Sequence, residues 1–96
     1  MITVTAVMRA REGSAKDLSR VIKDYAPEFM KDPGCTMYKV VKRVDNPNLF
    51  LFYEQYQNDE AFKYYLSGPH FQEMFSAIKP FLEIDGKPEI YTYSEI

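Results

Sequence analysis

Leu49-Phe50-Leu51-Phe52-Tyr53-Glu54-Gln55-Tyr56-Gln57 is the most constraining stretch of this chain. It reads as a strand whose first half is apolar at every position. A strand without a polar face is covered on both sides and lies in the middle of its sheet. The residues before it, 35–44, alternate. Met37, Lys39, Val41 and Arg43 face one way and Thr36, Tyr38, Val40, Lys42 and Val44 the other, the period-two signature of a strand. Asp45-Asn46-Pro47-Asn48 between the two runs is built from turn formers, so the pair reads as an antiparallel hairpin.

Working outward, residues 2–10 alternate as well, with Ile2, Val4, Ala6, Met8 and Ala10 on one face. Gly13-Ser14 breaks that strand, and Ser14 with Asp17 forms a weakened capping box. Leu18, Val21, Ile22, Tyr25 and Phe29 then fall on one helical stripe. Pro27 lies inside it and predicts a kink or restart near Ala26, because proline removes a donor and crowds the preceding turn. Asp32-Pro33-Gly34 is a turn. Downstream, Asn58 or Asp59 caps a short helix through Leu66. Gly68 closes it and Pro69 opens the next, whose stripe is Phe71, Met74, Phe75, Ile78 and Phe81 or Leu82. Pro80 and Gly86 bracket its end, and residues 88–95 alternate again. The order β-α-β-β-α-β is the split βαβ of an α+β, ferredoxin-like fold with an antiparallel sheet, expected as one domain over residues 1–96. Two helices cover one face of such a sheet. The central strand is apolar on both sides, so the sheet's other face calls for a second copy, giving a homodimer with its sheets packed face to face.

Composition narrows the function classes. The 96 residues carry 12 basic and 14 acidic side chains, a net charge of −2. No basic run invites nucleic acid, and no apolar run approaches the ~18 residues of a membrane helix. The start of the chain has no signal core, so a cytoplasmic protein is expected. One cysteine, Cys35, and one histidine, His70, exclude an internal disulfide and a multi-histidine metal cluster. No phosphate loop, nucleotide fingerprint or flavin signature is present, so no cofactor is expected. Aromatic residues reach 16%, with eight Tyr and seven Phe. So many phenols must partly line something other than a dry core, since each buried hydroxyl needs a partner.

Residues 53–71, Tyr-Glu-Gln-Tyr-Gln-Asn-Asp-Glu-Ala-Phe-Lys-Tyr-Tyr-Leu-Ser-Gly-Pro-His-Phe, together with Asp32-Pro33-Gly34-Cys35 and Tyr38, resemble the antibiotic-biosynthesis monooxygenase (ABM) domain family. The resemblance covers nearly the whole chain. It implies a dimeric α+β barrel with a pocket between helices and sheet in each subunit. Family members include cofactor-independent monooxygenases of quinols and polyketide phenols, an isomerase of a phosphorylated sugar, haem-degrading enzymes and proteins of unassigned activity. Many relatives carry a histidine five residues before the Pro-His-Phe histidine. Tyr65 stands there in this chain, and no two-histidine mechanism is open to it. The haem-degrading set of Asn, Trp and His is also missing, since the chain has no Trp.

Within that frame the expected catalytic residues are His70, Glu54 and Tyr65. His70 titrates nearest neutrality and is the natural general base. Glu54, in an apolar and aromatic strand, must be paired or titrate high; it orients His70 or a substrate hydroxyl, or it forms a salt bridge with Lys39, Lys42 or Arg43. Tyr65 takes the place of the relatives' polar ring. Tyr38, Tyr53, Tyr64, Phe71 and Met74 are the expected substrate-binding residues, offering hydroxyls and an apolar wall to a planar ligand. Phe52, Phe62, Phe71, Met74 and Phe75 read most simply as core, and an apolar pocket lined by some of them would suit a planar aromatic ligand. Cys35 reads as inert, and Arg9 and Arg11 as solvated or anion-binding. The function expected is cofactor-independent oxygenation, with O₂, of a small aromatic or quinol compound. The alternatives are an isomerase or proton-transfer enzyme on a small oxygenated metabolite, and a non-catalytic ligand-binding dimer.

Overall fold

The computed structural model describes residues 1–83 and 88–96. Its elements run β1 (Ile2–Arg9), α1 (Ala15–Phe29), β2 (Cys35–Lys42), β3 (Leu49–Tyr56), α2 (Asp59–Ser67), α3 (Pro69–Ile78), a 3₁₀ turn (Lys79–Phe81) and β4 (Glu89–Ser94). The strands form one antiparallel sheet in the order β2-β3-β1-β4. This is the α+β, ferredoxin-like arrangement, with β3 and β1 in the centre. Gly86, expected to help end the last helix, lies outside the described residues.

The register sorts the side chains into two sets of cross-strand rows. On the helix side run Tyr38–Glu54–Val4–Thr92, then Val40–Phe52–Ala6–Ile90, then Lys42–Phe50–Met8. On the other side run Met37–Gln55–Thr3–Tyr93, Lys39–Tyr53–Thr5–Tyr91 and Val41–Leu51–Val7–Glu89. The core fills the helix side: Val4, Ala6, Met8, Phe50, Phe52 and Tyr56 meet Leu18, Ile22, Phe29, Phe62, Tyr65, Met74 and Ile78. Among the described residues no layer covers the opposite side, and Met37, Val41, Tyr91 and Tyr93 are exposed there.

Three local expectations are corrected. First, α1 runs through Pro27 without a restart. Proline here stands in the last turn on the exposed side, where the carbonyl it leaves unpaired can turn to water. Second, Ser14 makes no side-chain cap bond. Asp17 instead takes the Arg20 guanidinium at 2.8 Å, and an aspartate is a methylene short for the reciprocal bond. Third, β2 stops at Lys42; the Arg43 amide still donates to the Leu49 carbonyl at 3.0 Å, and its guanidinium holds both oxygens of Asp45 at 2.9 Å as the turn begins. Asn58 caps α2 as expected, its side-chain oxygen accepting from the Ala61 amide at 2.8 Å. Gly34 is required for packing. A Cβ there would meet the Ala61 Cβ at 2.4 Å, so only glycine lets the 32–34 turn lie against α2.

Candidate active site

Glu54 is the single charged side chain among the described buried residues, 5% exposed. Strand alternation puts it on the helix side, opposite Tyr38 on β2 and Val4 on β1. The same alternation puts Tyr56, two residues on, beside it. The Tyr56 hydroxyl donates to Glu54 Oε1 at 2.5 Å, a short charge-assisted bond. Tyr56 is fully buried. No lysine or arginine reaches Glu54 among the described residues, so the expected salt bridge to Lys39, Lys42 or Arg43 does not form. Lys39 lies on the other side of the sheet, Lys42 lies two rows away, and Arg43 is bound to Asp45.

Burial without a cation has an electrostatic consequence. Desolvation raises the Glu54 carboxyl to about 7, and the Tyr56 bond only partly offsets it. Burial and the neighbouring Glu54 charge likewise push the Tyr38, Tyr56 and Tyr65 phenols well above the ordinary range. These tyrosines are therefore hydrogen-bond donors at neutral pH, and the carboxyl is the group that can trade a proton. Burial also lifts the Cys35 thiol to about 11, which leaves it an unreactive thiol.

Glu54 opens onto a chamber between the sheet and the α2–α3 pair. Val4, Ala6 and Met8 of β1, Tyr38 of β2 and Phe52 of β3 form its floor; Phe62, Tyr65 and Leu66 of α2, Phe71, Met74 and Phe75 of α3, and Ile90 of β4 close it. Its free volume is about 50 Å³. Tyr65 is the hub of its aromatic wall. Its ring centroid lies 5.1 Å from Phe29, 5.5 Å from Tyr56 and 5.2 Å from Phe71. The Tyr38 hydroxyl points to Met74 Sδ at 3.8 Å. At the edge of the chamber, Ile90 is 52% exposed.

The structure thus gathers Glu54, Tyr65, Tyr38, Phe71 and Met74 around one space and leaves three sequence candidates outside it. His70 is half-buried in the first turn of α3 and is not among the lining residues. Its expected partner Glu54 is engaged by Tyr56. Tyr53 alternates to the opposite side of the sheet, and Tyr64 is 68% exposed on the outer flank of α2. Sequence reasoning also missed Tyr56. The signal was available, because residues 54 and 56 of a strand share a face. Among the described residues no three His, Cys, Asp or Glu side chains converge on a point that could hold a metal ion.

Residues 1–77 match the profile of the family described as antibiotic biosynthesis monooxygenase. The chain belongs to that family. A solved antibiotic biosynthesis monooxygenase superposes with a TM-score of 0.89 at 17% identity, covering 100% of this chain and 99% of the other. A structure from Pseudomonas aeruginosa gives 0.87 at 21% identity over 99% and 93%. Identities this low carry the fold alone. An uncharacterised protein of Synechocystis is 22% identical over 94 residues, 98% of this chain and 64% of the relative. This ABM chain therefore spans about two-thirds of that relative's length.

Proposed function

We propose that this ABM protein is a homodimeric, cofactor-independent monooxygenase of a small aromatic or quinol compound, with Glu54 as its proton acceptor. The observation that carries the reading is a buried carboxyl near neutrality, held by one phenol and facing an otherwise apolar, aromatic chamber. A general base works best when its pKa lies near the working pH. Glu54 removes a proton from a phenol or an activated carbon, and Tyr38 and Tyr65 donate hydrogen bonds to the oxyanion that forms. The electron-rich anion passes one electron to O₂, and the two radicals combine as a peroxide on the substrate. Loss of water breaks the O–O bond. One oxygen atom stays on carbon and the other leaves in the water, which takes up the two hydrogens that the substrate loses overall. A ring needs more room than the chamber offers, since ligand sites span ~300 Å³ or more. Entry of a ring therefore requires the lining side chains to give way, and Ile90, 52% exposed at the chamber's edge, is the most open of them.

Dimerisation rests on the uncovered side of the sheet. Tyr53, Tyr91, Tyr93, Leu51, Val41 and Met37 gather there, with Thr3, Thr5, Lys39, Gln55 and Glu89 among them, and exposed aromatic and apolar side chains so gathered mark an association face.

The test is oxygen consumption with a panel of hydroquinones and anthrones. Glu54→Gln, which keeps the shape and the Tyr56 bond, is expected to lose ~10²-fold or more in rate, while His70→Ala stays within a few-fold. Full activity in Glu54→Gln removes the carboxyl from the mechanism. The carboxyl near neutrality also suits a second reading, proton transfer within a small oxygenated metabolite. That reading predicts turnover without oxygen.

A further inference from the structure

A second concavity lies on the same side of the sheet as Glu54's chamber, between α1 and the outer strand β2. It has a volume of about 510 Å³ and is lined by Lys16, Ser19, Arg20, Ile22, Lys23 and Asp24 of α1, Val40, Val41 and Lys42 of β2, and Phe50 of β3. Its floor is core: Ile22 is 4% exposed and Phe50 2%. Its rim is cationic in a chain whose net charge is −2. Arg20 is matched by Asp17 at 2.8 Å. Lys16, Lys23 and Lys42 form no salt bridge among the described residues, so three ammonium groups face one carboxylate, Asp24.

One of these lysines stands where folding alone disfavours it, and a second stands exposed at the sheet's edge beside a core residue. Lys16 sits in the first turn of α1, where the helix dipole repels a cation. Lys42 stands on the helix side of the sheet, directly across from buried Phe50, in a row otherwise filled by apolar side chains. Lys16, Arg20 and Lys23 fall at i, i+4 and i+7, on one flank of α1 beside the core stripe. The shared result is a groove with an apolar base and an unneutralised positive rim, of a size that holds a small molecule.

We propose that this groove binds a small amphiphilic carboxylate, its apolar body against Ile22, Val40 and Phe50 and its carboxylate among Lys16, Lys23 and Lys42. The proposal goes beyond the catalytic reading and does not depend on it. The test is titration of the whole ¹⁵N-labelled chain with 2-naphthoate, with the uncharged 2-naphthylmethanol as comparison. Naphthoate is expected to shift the amides of residues 16–24 and 40–42. The alcohol should bind ~tenfold more weakly, because each partly solvated ion pair is worth up to about fivefold in affinity. The double variant Lys23→Gln/Lys42→Gln, made at exposed positions, should lose a similar factor, and Glu54→Gln should bind as the unaltered chain does. Equal affinity for the alcohol, no shift at millimolar naphthoate, or shifts confined to residues around Glu54 and Tyr65 would each overturn the proposal. So would α1 amides that move on protein dilution alone, which would assign the groove to a second copy of the chain.

Discussion

Tyr53 and Glu54 are consecutive residues of β3 with opposite surroundings. Tyr53 stands in the row Lys39–Tyr53–Thr5–Tyr91, on the side of the sheet away from the helices. Glu54 stands between Tyr38 and Val4, sealed beneath α2 and α3. A tyrosine would have suited the buried position and a glutamate the open one. The chain has them the other way round. The inversion is informative on each side: the acid under the helices keeps a proton near neutrality, and the ring on the open side adds to a surface suited to a partner.

The largest expected contrast between the two sides is in folding. Phe52→Ala removes a buried ring from the helix side and should cost about 3–5 kcal/mol in urea unfolding, while Leu51→Ala, its neighbour on the other side, should cost far less in the separated subunit. Similar losses at both positions would mean that the open side is as fully packed as the core.

Next comes the pH response of Glu54. Its folded-state value of about 7 lies above the ordinary 4.5, so between these values the folded chain binds more protons than the unfolded one. This contribution to stability is fully present below about pH 4.5, falls as pH rises towards 7, and levels off above that. The swing is about 3 kcal/mol. Denaturation midpoints measured at pH 5 and pH 8 should show it, and Glu54→Gln should flatten it. In the catalytic reading the rate moves the opposite way with pH, rising through about 7 as the carboxylate forms. A rate that falls over that interval would exclude a basic role.

Tyr56→Phe is expected to have a smaller effect. It removes the Tyr56 hydrogen bond to Glu54, a bond to a charged group worth about 1.5–3 kcal/mol. The carboxyl's titration should move up by roughly one to two units, read by carboxyl-carbon NMR. An unmoved titration would show that the phenol contributes nothing to holding the charge. At the small end, Tyr53→Ser should change subunit unfolding by no more than about 0.5 kcal/mol while promoting dissociation in sedimentation at micromolar concentration. The reverse pattern would assign Tyr53 to the core.

Much of the fold was legible along the chain. The period-two runs, the helical stripes, Asn58 and the Gly68-Pro69 junction are local signals, and they place most of the elements found. The misread details were competitions between neighbours: Asp17 is drawn off by Arg20, and Pro27 is tolerated because it stands in an exposed last turn. The site was legible in composition and less so in geometry. His70 stood out as the one imidazole and Tyr53 for its place beside Glu54. Neither reaches the chamber, because a residue's chemistry says nothing about which way its element turns it. Tyr56 went unnoticed although its spacing from Glu54 was in plain view.

The sequence by itself determined the order of strands and helices and which residues share a strand face, since both follow from backbone periodicity and the burial of apolar stripes. Only the tertiary structure decided that Glu54 meets a phenol and, among the described residues, no cation, and that α2 and α3 close over it. Desolvation depends on everything packed around a group, and residues from all four strands and two helices contribute to the packing around this one.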